Sequence, residues 1–168
     1  MASWIELLAA LAARAGTCRG YALRAARRDD EAFLFTLHRS AMREYVEATW
    51  GWDEGWQRQH FAATYAAGRN AIIVRLGEVP RDIGRISLTR HWRKIFLRDI
   101  ELVAEERGHG LGSALLRALL SLARKEGRAI DLFVLKCNPA QRLYSRLGFE
   151  IVGDDGGRLA MRYDPRRP

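Results

Sequence analysis

The sequence predicts a mixed α/β (α+β) domain, a central sheet flanked by helices, with one extra helix in front. Three observations predict it. Residues 71–103 hold three successive strand-like runs separated by turn residues. Residues 110–125 carry a broad helical apolar face, and residues 130–135 form the nearly unbroken apolar run expected when both faces of a strand are buried. The 168 residues suit one domain with a sizeable core, with residues 1–19 as an appended helix and 20–168 as the domain proper.

The elements follow in order. Ser3-Trp4-Ile5-Glu6 is a capping box, in which a Ser hydroxyl serves an orphan amide and a Glu reaches back. Gly16 stands where that helix would stop, so it is read over 3–15. Residues 21–25 are a short strand, and Asp29-Asp30 then caps a helix from about Glu31. Phe33, Leu34, Leu37, Met42 and Val46 give that helix its spacing. Gly51 breaks it, and Asp53 caps a second helix through about Ala67. Strands follow over 71–76, 83–89 and 95–103. The helix over 110–125 shows Leu111, Leu115, Leu116, Leu119, Leu120 and Ala123 on one face and ends at Gly127. A strand over 130–135 precedes a helix opened by Asn138-Pro139 and closed by Gly148. Residues 149–152 and 159–163 make a final hairpin around Gly156-Gly157.

Composition narrows the function. The 28 basic and 20 acidic residues give a formal charge of +8, which favours anionic partners. Most of the excess is scattered arginine, with only Arg27-Arg28 and Arg166-Arg167 paired, so the pattern argues against a nucleic-acid surface. No apolar run reaches the roughly 20 residues that cross a bilayer. The apolar stretch over 7–13 is preceded by Glu6 and no basic residue, which is wrong for a signal sequence. Cys18 and Cys137 are too few and too far apart for a disulfide framework or a metal quartet. The expected setting is reduced and cytoplasmic, with Cys137 a small buried residue.

The chemistry centres on Arg107-Gly108-His109-Gly110-Leu111-Gly112, between the end of a strand and the start of a helix. A helix N-terminus offers unpartnered amides and partial positive charge. Glycines there let a phosphate approach the backbone, and Arg107 adds a forked cation. The segment lacks the Lys of a P-loop. Ser113 stands where a dinucleotide fingerprint needs its third Gly, and the motif lies late in the chain rather than opening a βαβ unit.

Arg107, Gly110 and Gly112 match the coenzyme A loop, Gln/Arg-x-x-Gly-x-Gly/Ala, of the GNAT superfamily of N-acetyltransferases. The chain resembles that superfamily from about Tyr21 to Asp164. The opening strand Ala22-Leu23-Arg24 with its acidic cap, the strand Asp99-Ile100-Glu101-Leu102-Val103 and the segment Asn138-Pro139-Ala140…Leu143-Tyr144…Leu147-Gly148-Phe149 carry the likeness. It implies a mostly antiparallel sheet and transfer of an acetyl group from acetyl-CoA to a primary amine. The strand before the loop would splay from the next one, with the backbones of Leu102 and Val103 meeting the pantetheine arm. The amides of Gly108, His109, Gly110, Leu111 and Gly112 would hold the pyrophosphate, and Ser113 would add a hydroxyl. Asn138 would touch the cofactor, cap its helix, or both. Tyr144 would protonate the leaving thiolate.

The base is open between Glu101, Asp99 on the same strand face and a water relay; relatives with a catalytic Glu on this strand carry it where this chain has Phe96. The stretch from Arg43 to Trp56 gathers aromatic rings beside carboxylates, which suits a cationic amine. Tyr45, Glu47 and Trp50 are therefore expected near the acceptor, as is Asp99, with His91-Trp92 on the rim. The acceptor is a small-molecule or peptide amine. A non-catalytic CoA-binding or protein-interaction module on the same fold is the alternative, and the extra first helix offers a surface for a homodimer.

Overall fold

The computed structural model describes residues 3–14 and 19–166, so the expected helix stop at Gly16 and Cys18 lie outside the described residues. The chain order is α1 (Trp4–Arg14), β1 (Tyr21–Ala25), α2 (Glu31–Trp50), α3 (Glu54–Thr64), β2 (Asn70–Arg75), β3 (Arg81–Arg90), β4 (Lys94–Leu102), α4 (Leu111–Glu126), β5 (Ala129–Leu135), α5 (Ala140–Arg146), β6 (Glu150–Asp154) and β7 (Arg158–Tyr163). The strands form a seven-stranded sheet in the order β1-β2-β3-β4-β5-β7-β6. It is antiparallel except between β4 and β5, as the resemblance implied. Among the described residues no helix is long and apolar enough to cross a membrane.

Strand alternation sorts the core into two layers. Along β2, Ala71 and Ile73 join the larger core with α1 and α4, whereas Ile72 and Val74 pack with Leu34, Phe35, Leu37 and Phe61 of α2 and α3. Helix α4 is the main clamp: Leu115, Leu116, Leu119 and Leu122 are among the most buried side chains, each contributing about 1.5–3 kcal/mol. Ile5, Leu8 and Ala12 of α1 lie in that same core cluster, so the leading helix is continuous with the domain's core.

Local signals act as expected at most boundaries. Ser3 Oγ accepts from the Glu6 amide (3.2 Å) while the Glu6 carboxylate accepts from the Ser3 amide (2.7 Å). Asp53 Oδ1 accepts from the Trp56 amide at 2.8 Å. Gly127 closes α4 in the left-handed conformation at φ 64°, where a Cβ is penalised. Asp30 behaves differently. It does not cap α2 with its side chain; its carboxylate accepts instead from the Arg27 amide and pairs with the Arg24 guanidinium (both nitrogens at 2.8 Å). A nearby cation outcompetes the helix amides for it.

The feature that positions the site is a split in the sheet. β4 pairs with β5 only from Lys94 to Leu97, against Ala129 to Leu132. A bulge in the β3–β4 ladder between Ser87 and Leu88 leaves Arg98 without a partner across the ladder. Bulges bend a strand and raise its twist, and past this point β4 diverges from β5 toward the loop at residues 103–110.

Candidate active site

A cleft of about 580 Å³ opens where the strands part. Its walls include Ile100, Leu102, Gly110, Gly112, Asn138 and Tyr144. The Val103 amide donates to the Ile83 carbonyl at 2.8 Å. Alternation along the ladder therefore turns the backbone groups of Ile100 and Leu102 away from β3, toward the split. Val103 does not share this role: its amide is taken by Ile83 and its carbonyl by the Glu106 amide (3.1 Å). Ile100 takes its place among the lining residues.

At the head of α4, Gly108 and Gly110 adopt φ 79° and 85°, a conformation that favours glycine. The Ala114 amide reaches back to the Gly110 carbonyl at 2.9 Å. The amides of Leu111, Gly112 and Ser113 precede the first full helical hydrogen bond. Gly112 is in ordinary helical conformation, and a Cβ there would meet nothing in the protein within 4 Å. Its bareness serves no internal packing, so the space fits an external group such as a phosphate. His109 is exposed and is not part of the cleft wall. Arg107 also has an internal partner: its Nε donates to the Leu102 carbonyl at 2.8 Å, tying the loop to the end of β4.

A charged cluster lies beneath the cleft floor. Glu101 of β4 and Arg85 of β3 are cross-strand partners, with relative exposures of 5% and 4%. Arg85 Nε donates to Glu101 Oε2 at 2.8 Å, and its other nitrogen lies 3.3 Å from Asp99. The guanidinium also stands 5.2 Å from the Phe61 ring centroid. His38 of α2 places Nδ1 2.7 Å from Glu101 Oε1. Gly84 permits this closeness, since a Cβ there would lie 2.5 Å from the Glu101 carbonyl oxygen and 2.7 Å from Leu102 Cδ2.

The electrostatics follow from burial and pairing. Burial alone would raise the Glu101 carboxyl, but Arg85 and the His38 hydrogen bond hold it down at about 2. Glu101 is thus an acceptor only, so His38 Nδ1 must carry the proton of their bond. Burial pushes the Asp99 carboxyl up, against the pull of Arg85 and with the repulsion of Glu101. His38, Asp99 and Glu101 have the donor types of a metal site, but Arg85 already fills the place between the carboxylates with positive charge.

Tyr144 of α5 is buried edge-on against Phe149, with ring centroids 5.7 Å apart. Its hydroxyl has no hydrogen-bond partner among the described residues. Burial pushes its phenol well above the usual range, and the charges of Asp99 and Glu101 push the same way. It is held protonated, beside the cleft. Asn138 caps its helix and lines the cleft at once: Oδ1 accepts from the Ala140 amide at 2.9 Å, and the residue stands in the cleft wall.

Residues 34–149 match the Acetyltransferase (GNAT) family. The chain belongs to that family. Solved structures agree on the fold. The PaiA N-acetyltransferase from Thermoplasma acidophilum, in complex with coenzyme A, is similar with TM-score 0.67 and 18% identity, over 86% of this chain and 98% of that one. The ribosomal-protein-S18-alanine N-acetyltransferase from Escherichia coli gives 0.63 and 18%, over 88% and 96%. Arabidopsis thaliana Naa50, in complex with the bisubstrate analogue CoA-Ac-MVNAL, gives 0.58 and 17%, over 86% and 99%. No curated protein sequence matches the chain.

The acetyltransferase has a second pocket, of about 330 Å³, on the other side of the charged cluster. His38, Asp99 and Arg85 line it, together with Trp50, Phe61 and Tyr65. Of the residues expected at an acceptor, Trp50 and Asp99 are here. Tyr45 is not: it lines the first cleft. Glu47 projects outward, 60% exposed, 3.8 Å from Arg43 on the next turn, because its position on α2 faces away from the sheet. His91 and Trp92 line neither opening; they sit in the β3–β4 turn, at the end of β4 opposite the loop, with Trp92 76% exposed. Cys137 is exposed rather than buried, its Sγ 3.5 Å from the Tyr45 carbonyl. The sequence reading missed His38 and Arg85. A signal existed for Arg85, a lone charge inside the apolar run Ile83–Leu88; for His38 there was none beyond residue type.

Proposed function

We propose that this acetyltransferase transfers the acetyl group of acetyl-CoA to a primary amine of a small molecule or peptide by direct attack. One observation carries the reading: the amide cradle at the head of α4 and the protonated Tyr144 share one cleft, and Glu101, in its wall, bonds the His38 that lines the second pocket. The amides from Gly108 to Ser113 suit the cofactor's pyrophosphate, and the split edge of β4, at the Ile100 backbone and the Leu102 amide, suits the amide-bearing arm. Acetyl-CoA supplies an activated acyl carbon in thioester linkage.

The proton path follows from the cluster. Both Glu101 oxygens are engaged and its carboxyl is held at about 2, so it is a weak proton acceptor itself. Its role is to orient His38, whose Nε2 lone pair takes a proton from the attacking amine. The new C–N bond forms as the C–S bond breaks. Tyr144 then gives its proton to the departing sulfur, which leaves as free thiol. Asp99 offers the amine a carboxylate contact before attack.

The test is thiol release from acetyl-CoA in the presence of an amine panel, wild type against Tyr144→Phe. The expected result is amine-dependent turnover, lowered about 10²-fold by the substitution with coenzyme A affinity unchanged in calorimetry. Binding without turnover across amino acids, peptides, polyamines and aminoglycosides defeats the proposal.

A further inference from the structure

The second pocket has a chemistry of its own. Its volume, about 330 Å³, suits a small molecule or the end of a chain. Trp50 and Trp56 leave 61% and 56% of their surfaces exposed, and Trp56 stacks on His60 with centroids 4.7 Å apart and planes 6° from parallel. These flat apolar surfaces, with Phe61 and Tyr65 deeper in, are suited to a ring or similarly flat body.

The charges are lopsided. Asp99 is the only carboxylate among the lining residues, against Arg69, Arg85, Arg98 and Arg158. Two of these cations are already spoken for: Arg85 by Glu101 and Asp99, Arg158 by Asp155. Arg69 and Arg98 are exposed; among the described residues neither forms an ion pair within 4 Å, although Arg98 is close enough to Asp99 to attract its charge. A polyamine or aminoglycoside entering here would bring several positive charges against one carboxylate and two exposed guanidinium groups. A molecule with one amine and one anionic group meets opposite charge at both ends.

Building on the acetyl-transfer reading, we infer that the acceptor is an amine with a flat apolar body and an anionic group, carboxylate or phosphate, bound by Arg69 and Arg98. The amine sits toward Asp99 and His38, the ring along Trp50 and Trp56, and the anion at the two arginines.

Matched acceptors test this. Wild type is assayed by thiol release with 4-(2-aminoethyl)benzoate against its amide, O-phosphotyramine against tyramine, and spermidine. The expected result is a kcat/KM at least about tenfold higher for the anionic member of one pair or both. The pair with the larger ratio identifies carboxylate or phosphate as the preferred anion. In Arg69→Gln/Arg98→Gln the ratio should fall to within about threefold of one, with coenzyme A affinity unchanged as evidence of an intact fold. Equal or better turnover of the neutral amines or spermidine by wild type, or a preference that survives in the double variant, overturns the inference and leaves acetyl transfer standing. Absence of turnover with every amine, while coenzyme A still binds, overturns both.

Discussion

Replacing Glu101 by Gln keeps the size and much of the hydrogen bonding of the side chain but removes its charge. Arg85 is then left 4% exposed, facing Asp99 alone at 3.3 Å. Breaking a buried pair by removing one partner costs about 3–5 kcal/mol. The carboxyl itself gives a second measure: a group held at about 2 against an ordinary value of 4.5 contributes about 3 kcal/mol at neutral pH. The two agree, so Glu101→Gln should lower unfolding stability by about 3 kcal/mol at pH 7. The sign is set by the depressed carboxyl. Its contribution is complete above pH 4.5 and is lost as the pH falls toward 2. The deficit of the variant should therefore shrink to about 2 kcal/mol by pH 3.5. Asp99 titrates in the opposite sense: its raised carboxyl stabilises the fold below its ordinary value and loses that effect as pH rises, and removal of the Glu101 charge lowers it. Urea unfolding followed by far-UV circular dichroism at both pH values reads the difference. A deficit under about 1 kcal/mol at pH 7, or one that does not shrink on acidification, refutes the view of Glu101 as the anion that neutralises Arg85.

Three further outcomes follow from the site. His38→Gln can still donate to Glu101 but offers no basic lone pair, so kcat should fall about 10²-fold or more with coenzyme A affinity retained; turnover within about threefold of wild type removes His38 as the base. Gly112→Leu places a bulky side chain, larger than the Ala the loop pattern accepts, in space the protein leaves open, so calorimetry should show coenzyme A affinity reduced by about tenfold or more. Thermal stability should hold or rise, since Leu is favoured over Gly in a helix by up to about 1 kcal/mol; intact affinity places the phosphates elsewhere. Gly84→Ala forces a Cβ to within 2.5 Å of the Glu101 carbonyl, and chemical denaturation should show a loss of about 1–3 kcal/mol with a larger loss of turnover, because β4 carries Glu101.

What the sequence reveals and what it hides divide along a physical line. The elements are set by short-range patterns, and these were legible: the Ser3–Glu6 box, the Asp53 cap, the α4 stripe and the left-handed Gly127 each act within a few residues of themselves. The loop from Arg107 to Gly112 was legible for the same reason, since its backbone conformation and the helix it opens are local. The charged cluster is a different kind of object. His38 meets Glu101 across 63 positions of chain, and only the stacking of α2 on the sheet brings them together. Nothing near His38 in sequence distinguishes it from a surface histidine. Glu47 fails in reverse: its neighbours suggested an acceptor site, yet its place on α2 turns it to solvent. Arg107 and Asp30 show a third case: one was expected to add a cation to the loop and the other to cap α2, and each has a strong internal partner, the Leu102 carbonyl for Arg107 and Arg24 for Asp30. A buried arginine between two carboxylates is costly to form, and the fold keeps it at the wall between the cleft and the second pocket. That placement fixes the His38 ring, with Nδ1 held 2.7 Å from Glu101 and the ring in the wall of the second pocket, an orientation that a solvent-exposed imidazole has no partner to hold.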